Sequence, residues 1–586
     1  MFDSTSAATS SGISQSIVEP MQYVRMLTNS IVAGALVGAY VTLLLLQLNP
    51  SVPLRSLAVV PLVMTWWLFY GIHASVFFYA LFVIRQVMAT EARAPGWISL
   101  RLLAEFAAFA VSLAVLVTWL NLRGFRAVLS PDAAARATSG ATALTVCAVF
   151  CVILSLVQVP LERGRRVVAT LFALVLVASL ALPLAFRGNG AAALAEKAFG
   201  SVANIASVPS TARVTMILLD GASLDYIAPA AAGGRVPNFG RLLETGAVMH
   251  LATLRPTQPA PVWTAVATGK LPYKTTVYSA ARYLVPGSSQ RLDLLPDLCF
   301  AQSMFRFGLL SEETPTSDVI RARPIWELVS SFGITTGVIG WPVTYPAHPV
   351  RGYLVSDEFL RMDDSAVLAS SRDDPPLVSP PDLLEAARLA RSRVSSESSY
   401  AMDAGVEQIA HDLDAPGPAQ FTAVRYPGLD NAGHYYLRYA MPRAFGDVSD
   451  QERSKYGRVL EQYYTYVDGI VGRAMAAMRQ DDLLLVVSGF GMEPLSFGKR
   501  MLERLAGDSQ LSGTHEGAPD GFLIAYGRDV AKGSFQRASV VDVAPTVLYF
   551  LGLPVARDMD GFARTDIFAP AFTERRPITF IPYYDR

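Results

Sequence analysis

Asp430 and His434 stand four residues apart in Asp430-Asn-Ala-Gly-His434. On a helical turn that spacing brings both side chains to one face, where they can grip a single metal ion. His515, in the glycine-flanked segment Gly513-Thr-His515-Glu-Gly, is the natural third ligand. One carboxylate and two imidazoles suit Zn²⁺ and leave a coordination position for water or a ligand oxygen. An Asp-x-x-x-His pair by itself is more often a surface or structural feature, so the weight lies on the combination. Two other positions bear on chemistry. Asp220 directly follows the apolar run 214–219, where a carboxylate either joins such a site or caps the next turn. The later apolar run 483–487 leads into Ser488-Gly489-Phe490-Gly491, and neither Gly489 nor Phe490 can bind a metal.

These residues need elements to hold them. From Val214 onward, strand-like apolar runs alternate with helical patterns: 214–219, 237–245, 324–332, 336–339, 451–478 and 483–487. The alternation predicts an α/β domain over 214–586 with a mainly parallel sheet covered by helices. Ligands in such sheets gather at the carboxyl ends of strands, and Asp220, the turn at 426–434 and Ser488-Gly489 each follow a strand directly. Residues 271–323 show weak periodicity and are expected to form an insertion or cap, with 361–381 a second surface excursion.

Ahead of this domain the chain is of another kind. With 586 residues and 52% hydrophobic composition, it is too apolar for a purely soluble protein of that size. Uncharged runs of transmembrane length lie at about 28–48, 56–84, 106–122, 137–161 and 167–186. They predict a helical bundle of five spans over 28–186, after an N-terminal tail of 1–27 and before a linker of 187–213. Five spans put the two ends on opposite sides. Assigning Arg25, Arg85, Arg93, Arg101, Arg163, Arg165 and Arg166 to the inner side leaves Arg55, Arg123, Arg126 and Arg136 outside. That bias predicts a multi-pass protein of the cytoplasmic membrane with the C-terminal domain on the outer, periplasmic side. The first 28 residues lack the basic segment and cleavage site of a signal peptide, so the first span is expected to remain as an anchor.

Lys plus Arg equals Asp plus Glu at 49 each, which removes any electrostatic case for nucleic acid. Cys147 and Cys151 lie inside the fourth run and read as apolar packing, and Cys299 stands alone in the rest. His73, in the middle of the second run, is costly there, with Trp66, Trp67 and Tyr70 as packing neighbours. His250, His348 and His411 have no ligand-like spacing. Neither a Gly-x-Ser-x-Gly elbow nor a phosphate-binding glycine loop occurs, which counts against serine hydrolases and nucleotide motors.

Six motifs carry a resemblance, in order: Ile217-Leu-Leu-Asp220-Gly, Pro237-Asn-Phe-Gly-Arg-Leu-Leu, Pro261-Val-Trp-Thr-Ala-Val-Ala-Thr-Gly269, Asp430-x-x-x-His434, Gly513-Thr-His515 and Val541-Asp-Val-Ala-Pro-Thr-Val-Leu548. Over about 214–568 the chain resembles the type I phosphodiesterase and nucleotide pyrophosphatase branch of the alkaline phosphatase superfamily. The resemblance implies an alkaline-phosphatase-like domain with two metal ions and a metal-bound Ser or Thr nucleophile attacking a phosphoryl or sulfuryl ester. One ion falls to Asp430, His434 and His515. The other falls to Asp220, an Asp-His pair and the nucleophile, and here the pair positions are Gly489 and Phe490 while the nucleophile position is Pro259. Thr257 is the substitute nucleophile if the loop shifts, Glu493 and Glu516 are substitute ligands, and Lys270 and Arg282 are neutralising cations for a substrate phosphate. For each of these the plainer reading is a loop or surface group.

Two functions stay open. One is a membrane-anchored, outward-facing, metal-dependent phosphoric ester hydrolase or phosphotransferase acting on lipid or envelope phosphoesters. The other is a catalytically inactive binding or scaffolding subunit with one residual zinc site, an anionic ligand and a membrane protein partner. Both place the chain in a lipid bilayer.

Overall fold

A run such as 483–487, Leu-Leu-Leu-Val-Val, has no polar face to show to water, and its place is a strand covered on both sides. That is where the chain puts it. The structure is a computed structural model that describes residues 20–88, 100–157, 165–190, 210–301, 303–369, 374–395, 400–506 and 508–584. Most of the expected 1–27 tail and most of the 187–213 linker lie outside the described residues. The chain divides into two compact units: Met1–Leu122, Asp132–Ala192 and Leu284–Ser311 form the first, and Arg123–Pro131, Ala193–Tyr283 and Glu312–Arg586 the second.

The first unit contains five long apolar helices, α1 (Pro20–Leu48), α2 (Val59–Met88), α3 (Leu100–Phe125), α4 (Pro131–Val157) and α5 (Arg165–Arg187). Each is long and apolar enough to cross a membrane. They coincide with the five expected runs, except that the second starts three residues before α2 and 158–161 of the fourth lie outside the described residues. The carbonyls that end α1 are satisfied by an arginine. The buried Arg187 guanidinium donates to the Asn49 and Val52 carbonyls at 2.7 Å each. The expected cap at 271–323 divides, because Leu284–Ser311 groups with these helices and not with the sheet. Asn49 holds this segment: its Nδ2 donates to the Leu294 carbonyl at 2.8 Å and its Oδ1 accepts from the amides of Asp293 and Leu294. Asn121 does the same for the backbone of Asp297.

The second unit is built on a ten-stranded sheet. Its main strands are β1 (Val214–Leu219), β2 (Ala247–Ala252), β3 (Thr336–Ile339), β4 (Gly352–Val355), β5 (Val378–Ser379), β6 (Phe421–Tyr426), β7 (Leu483–Phe490), β8 (Asp520–Tyr526) and β9 (Gly533–Ser534). They lie in the order β9-β2-β8-β7-β1-β6-β3-β4-β5, and the run from β7 to β4 is parallel. In register Val214 faces Leu483 on one side and Phe421 on the other. Alternate residues enter separate cores. Val214, Met216 and Leu218 join one with Leu485 and Val487, while Ile217 and Leu219 join the other with Leu484 and Val486. Each such side chain contributes about 1.5–3 kcal/mol by leaving water.

The first core is covered by α6 (Pro259–Thr268) and α10 (Val543–Phe550). The second is covered by α7 (Ala401–Asp414), α8 (Gly428–Ala440) and α9 (Val459–Ala476). This is the expected mainly parallel α/β architecture. It brings the ends of β1, β6 and β7 side by side.

Candidate functional site

Strand β6 ends at Tyr426, and two residues later α8 begins, so Asp430 sits in its first turn and His434 one turn further. The helix supplies the common face, and the β-bridge segment at Gly513-Thr514 carries His515 to it. Side-chain ligand atoms of Asp430, His434 and His515 lie within 4.8 Å of one another. Asp430 and His434, joined by spacing, and His515, chosen for its type in a glycine-flanked loop, are therefore together in space.

Their hydrogen bonds suit a metal. His434 Nδ1 lies 2.8 Å from the Gly513 carbonyl, and His515 Nδ1 lies 2.9 Å from the Thr257 carbonyl. A ring whose Nδ1–H donates to a carbonyl keeps the Nε2 lone pair for coordination, which is how metal-bound histidines are oriented. Asp430 is 8% exposed, and its Oδ1 is buried with no hydrogen-bond partner among the described residues. Such an orphaned oxygen is costly unless a cation fills the position. The other oxygen of Asp430, Oδ2, lies 3.4 Å from His434 Nε2. Burial disfavours a charged His434, but the Asp430 carboxylate outweighs it and raises the imidazole above its ordinary value. One divalent ion fits this trio.

Gly221 makes the approach to Asp430 possible. It adopts φ +69°, and a Cβ there would lie 2.8 Å from Asp430 Oδ1.

A second ion at Asp220 does not fit. The carboxylate is fully buried, and both its oxygens are taken. Trp263 Nε1, from α6, donates to Oδ1 at 2.6 Å. Arg425 closes on Oδ2 through Nε at 2.9 Å and through a second, shorter bond from Nη2. Register explains the meeting, since Arg425 on β6 pairs with Leu218 on β1, two residues before Asp220. Burial pushes the Asp220 carboxyl up, and the charge and hydrogen bonds of Arg425 oppose that push. On the arginine side Asp220 more than offsets desolvation, so the guanidinium stays charged. The expected place of Asp220 among the metal ligands is thus taken by an internal ion pair.

The remaining positions of the reacting half are filled or turned away. Phe490 is fully buried, with its ring centroid 4.9 Å from that of His515. Gly489 lies against α6, and a Cβ there would come within 2.6 Å of Val262 Cγ1. An aspartate at this position would press on the Val262 side chain.

Thr257 is fully buried, and its hydroxyl donates to the Leu254 carbonyl at 2.8 Å. Its contribution to the site is the carbonyl that orients His515, not a free hydroxyl. Pro259 opens α6 with no side-chain nucleophile. Glu493 accepts from the Gly517 amide at 3.1 Å, and Glu516 is paired with Lys499. Lys270 is bound to Asp558 at 2.6 Å, and Arg282 opens the short strand Arg282–Leu284. None of these belongs to the ligand trio. Sequence reasoning missed Arg425 and Trp263. The available signal was a lone arginine in the otherwise apolar Phe-Thr-Ala-Val-Arg-Tyr strand, since an arginine beside a covered parallel strand needs a partner.

The profile of a family described as type I phosphodiesterase / nucleotide pyrophosphatase matches residues 214–543. Solved structures of ectonucleotide pyrophosphatase / phosphodiesterase 5 also align. Two murine ones, one of them inactive and in complex with AMP, share 13% identity, cover 61% of this chain and 100% of their own, and give a TM-score of 0.39. A human one shares 13% identity over 61% of this chain and 99% of its own, with a TM-score of 0.37. No curated protein matches the chain.

Proposed function

The chain belongs to the type I phosphodiesterase / nucleotide pyrophosphatase family, and from that premise we infer that its C-terminal domain binds an anionic, phosphoester-type ligand without hydrolysing it. The carrying observation is that both oxygens of Asp220 accept hydrogen bonds, from Arg425 and from Trp263, so the reacting half of the site offers no unengaged carboxylate and no side-chain nucleophile. Asp430, His434 and His515 would hold one divalent ion, zinc by donor type. When bound, that ion supplies Lewis acidity to a ligand oxygen. The protein's own groups do the rest. The Gly513 and Thr257 carbonyls fix the two imidazoles, and Phe490 closes the floor beside His515.

The rival reading, a hydrolase or phosphotransferase, draws on the same trio but has no side-chain nucleophile in place, because the Thr257 hydroxyl points to Leu254, and would need a water as the attacking group. The five apolar helices make this a multi-pass membrane protein. The arginine bias favours a cytoplasmic membrane with the domain on the outer side, where the ligand would be a lipid or envelope phosphoester and the helices are free to meet a membrane protein partner.

Elemental mass spectrometry on the detergent-purified chain, with hydrolysis of a phosphodiester, a phosphomonoester and a sulfate ester followed in parallel, tests this. Expected are one zinc ion per chain, its loss in His515→Ala, and no turnover above that variant. Turnover that disappears in His515→Ala would establish the hydrolase instead.

A further inference from the structure

The first unit carries a half-open cavity of about 420 Å³, inside the range of roughly 300–1,000 Å³ that accommodates small ligands. Its walls come from α1, α2 and α3, through residues such as Val41, Phe77 and Leu113, and from Leu298, Cys299 and Phe300. The lining is almost wholly aliphatic and aromatic. Two features separate the cavity from a simple packing gap.

The first is polar. Tyr70 lines the cavity, and its hydroxyl is buried with no hydrogen-bond partner among the described residues. A buried donor without an acceptor costs free energy that a bound group with an oxygen would recover. His73, one turn on, also lines the cavity; its Nδ1 is engaged by the Phe69 carbonyl at 2.7 Å, which leaves Nε2 as the free polar atom of the ring. A polar pair inside a spanning helix marks a site more often than a packing accident.

The second feature is conformational. Leu298 and Phe300 both hold positive φ, 65° and 53°, a region that bulky residues enter only when their surroundings impose it. Both side chains are exposed, at 64% and 66%, while Cys299 between them is buried. The Asn49 and Asn121 bonds to the backbone at 293–297 hold this strained turn at the mouth of the cavity.

We propose that the cavity between α1, α2, α3 and the turn at Leu298, Cys299 and Phe300 binds one hydrocarbon chain of a bilayer phospholipid, with an oxygen of that lipid accepting from Tyr70. Hydrocarbon is the solvent of these helices, so an opening in their surface meets lipid before any other molecule. The apolar walls take the chain, and the orphaned hydroxyl selects an oxygen-bearing lipid over a bare alkane. Leu298 and Phe300 lie over it as an apolar lip.

The experiment uses the full chain in phosphatidylcholine nanodiscs doped with phosphatidylcholine carrying a diazirine in its acyl chain. After illumination, peptide mapping should find label concentrated on the peptides containing Tyr70–Phe78 and 298–303. That excess should disappear in Ala110→Phe, which fills the cavity, and fall in Tyr70→Phe, which keeps its shape. Label spread evenly over the outward faces of all five helices would overturn the proposal, and so would an excess that survives Ala110→Phe. Because Tyr70→Phe changes no packing volume, an unchanged excess there overturns the part assigned to the hydroxyl even if Ala110→Phe fails to fold. None of these outcomes depends on the zinc site.

Discussion

At Asp220 two amino acids decide what the family's architecture is used for here. A fully buried carboxylate requires a counter-charge, and Arg425 provides one that cannot exchange, cannot be chelated and carries no open position. The pair is stable only as a pair. Arg425→Met should lower stability by about 3–5 kcal/mol, because it strands a buried anion close to Asp430. Asp220→Asn combined with Arg425→Met should recover most of that loss, since the amide keeps an acceptor for Trp263 and carries no charge. Thermal unfolding of the single and double variants in detergent measures the coupling. Additive losses would show that the guanidinium is not held there by Asp220. The Asp430–His434 pair was legible in the sequence because its spacing is local, and His515 because its type stands in a glycine-flanked loop. The ion pair was not, since nothing in the separation of Asp220 from Arg425 records that β1 and β6 are neighbours in register.

Among the elements, α8 has the most to satisfy, because it must present Asp430 while its first turn is buried. Asp403 on α7 accepts from the Gly428 amide at 3.1 Å and from the Tyr463 hydroxyl of α9 at 3.0 Å, tying three helices together. Burial raises this carboxyl to about 7, against the hydrogen bonds from Tyr463 and Gly428 and with opposed contributions from Asp220 and Arg425. The folded state therefore keeps a proton that the unfolded chain, with a carboxyl pKa of about 3.9, releases. Stability falls as pH rises through the interval between those two values. Asp403→Asn should flatten that dependence and melt above the wild type at pH 8, as a series of melting curves against pH would reveal. A wild type that gains stability from pH 5 to 7 in this comparison would exclude a protonated Asp403. Strands and spans were legible because their patterns are local: unbroken apolar runs for β1, β7 and the five helices. The fate of 271–323 was not, because weak periodicity says that a segment is irregular without saying what it packs on.

At the scale of the molecule, the chain interleaves its two units. The 284–311 segment departs from the sequence of the phosphodiesterase-family domain and returns to it, yet it belongs to the helical unit. What fixes it there is not apolar burial alone, since an apolar surface would accept many registers, whereas Asn49 and Asn121 read particular backbone groups. Asn49 is 1% exposed and bonds the carbonyls of Leu45 and Leu294 and the amides of Asp293 and Leu294. Asn49→Ala removes the side-chain partner of the buried Leu294 carbonyl and amide, at about 1–3 kcal/mol for each group stranded. The segment is then held less firmly. Hydrogen exchange should therefore speed up across 288–297 in Asn49→Ala, and further in the double variant with Asn121→Ala, while β1 and β7 in the other unit stay protected. Since the turn at Leu298, Cys299 and Phe300 that follows lines the cavity, photolabelling by the diazirine lipid should decline in the same order. Unchanged exchange in the double variant would mean that the apolar contacts of the segment hold it without the asparagines.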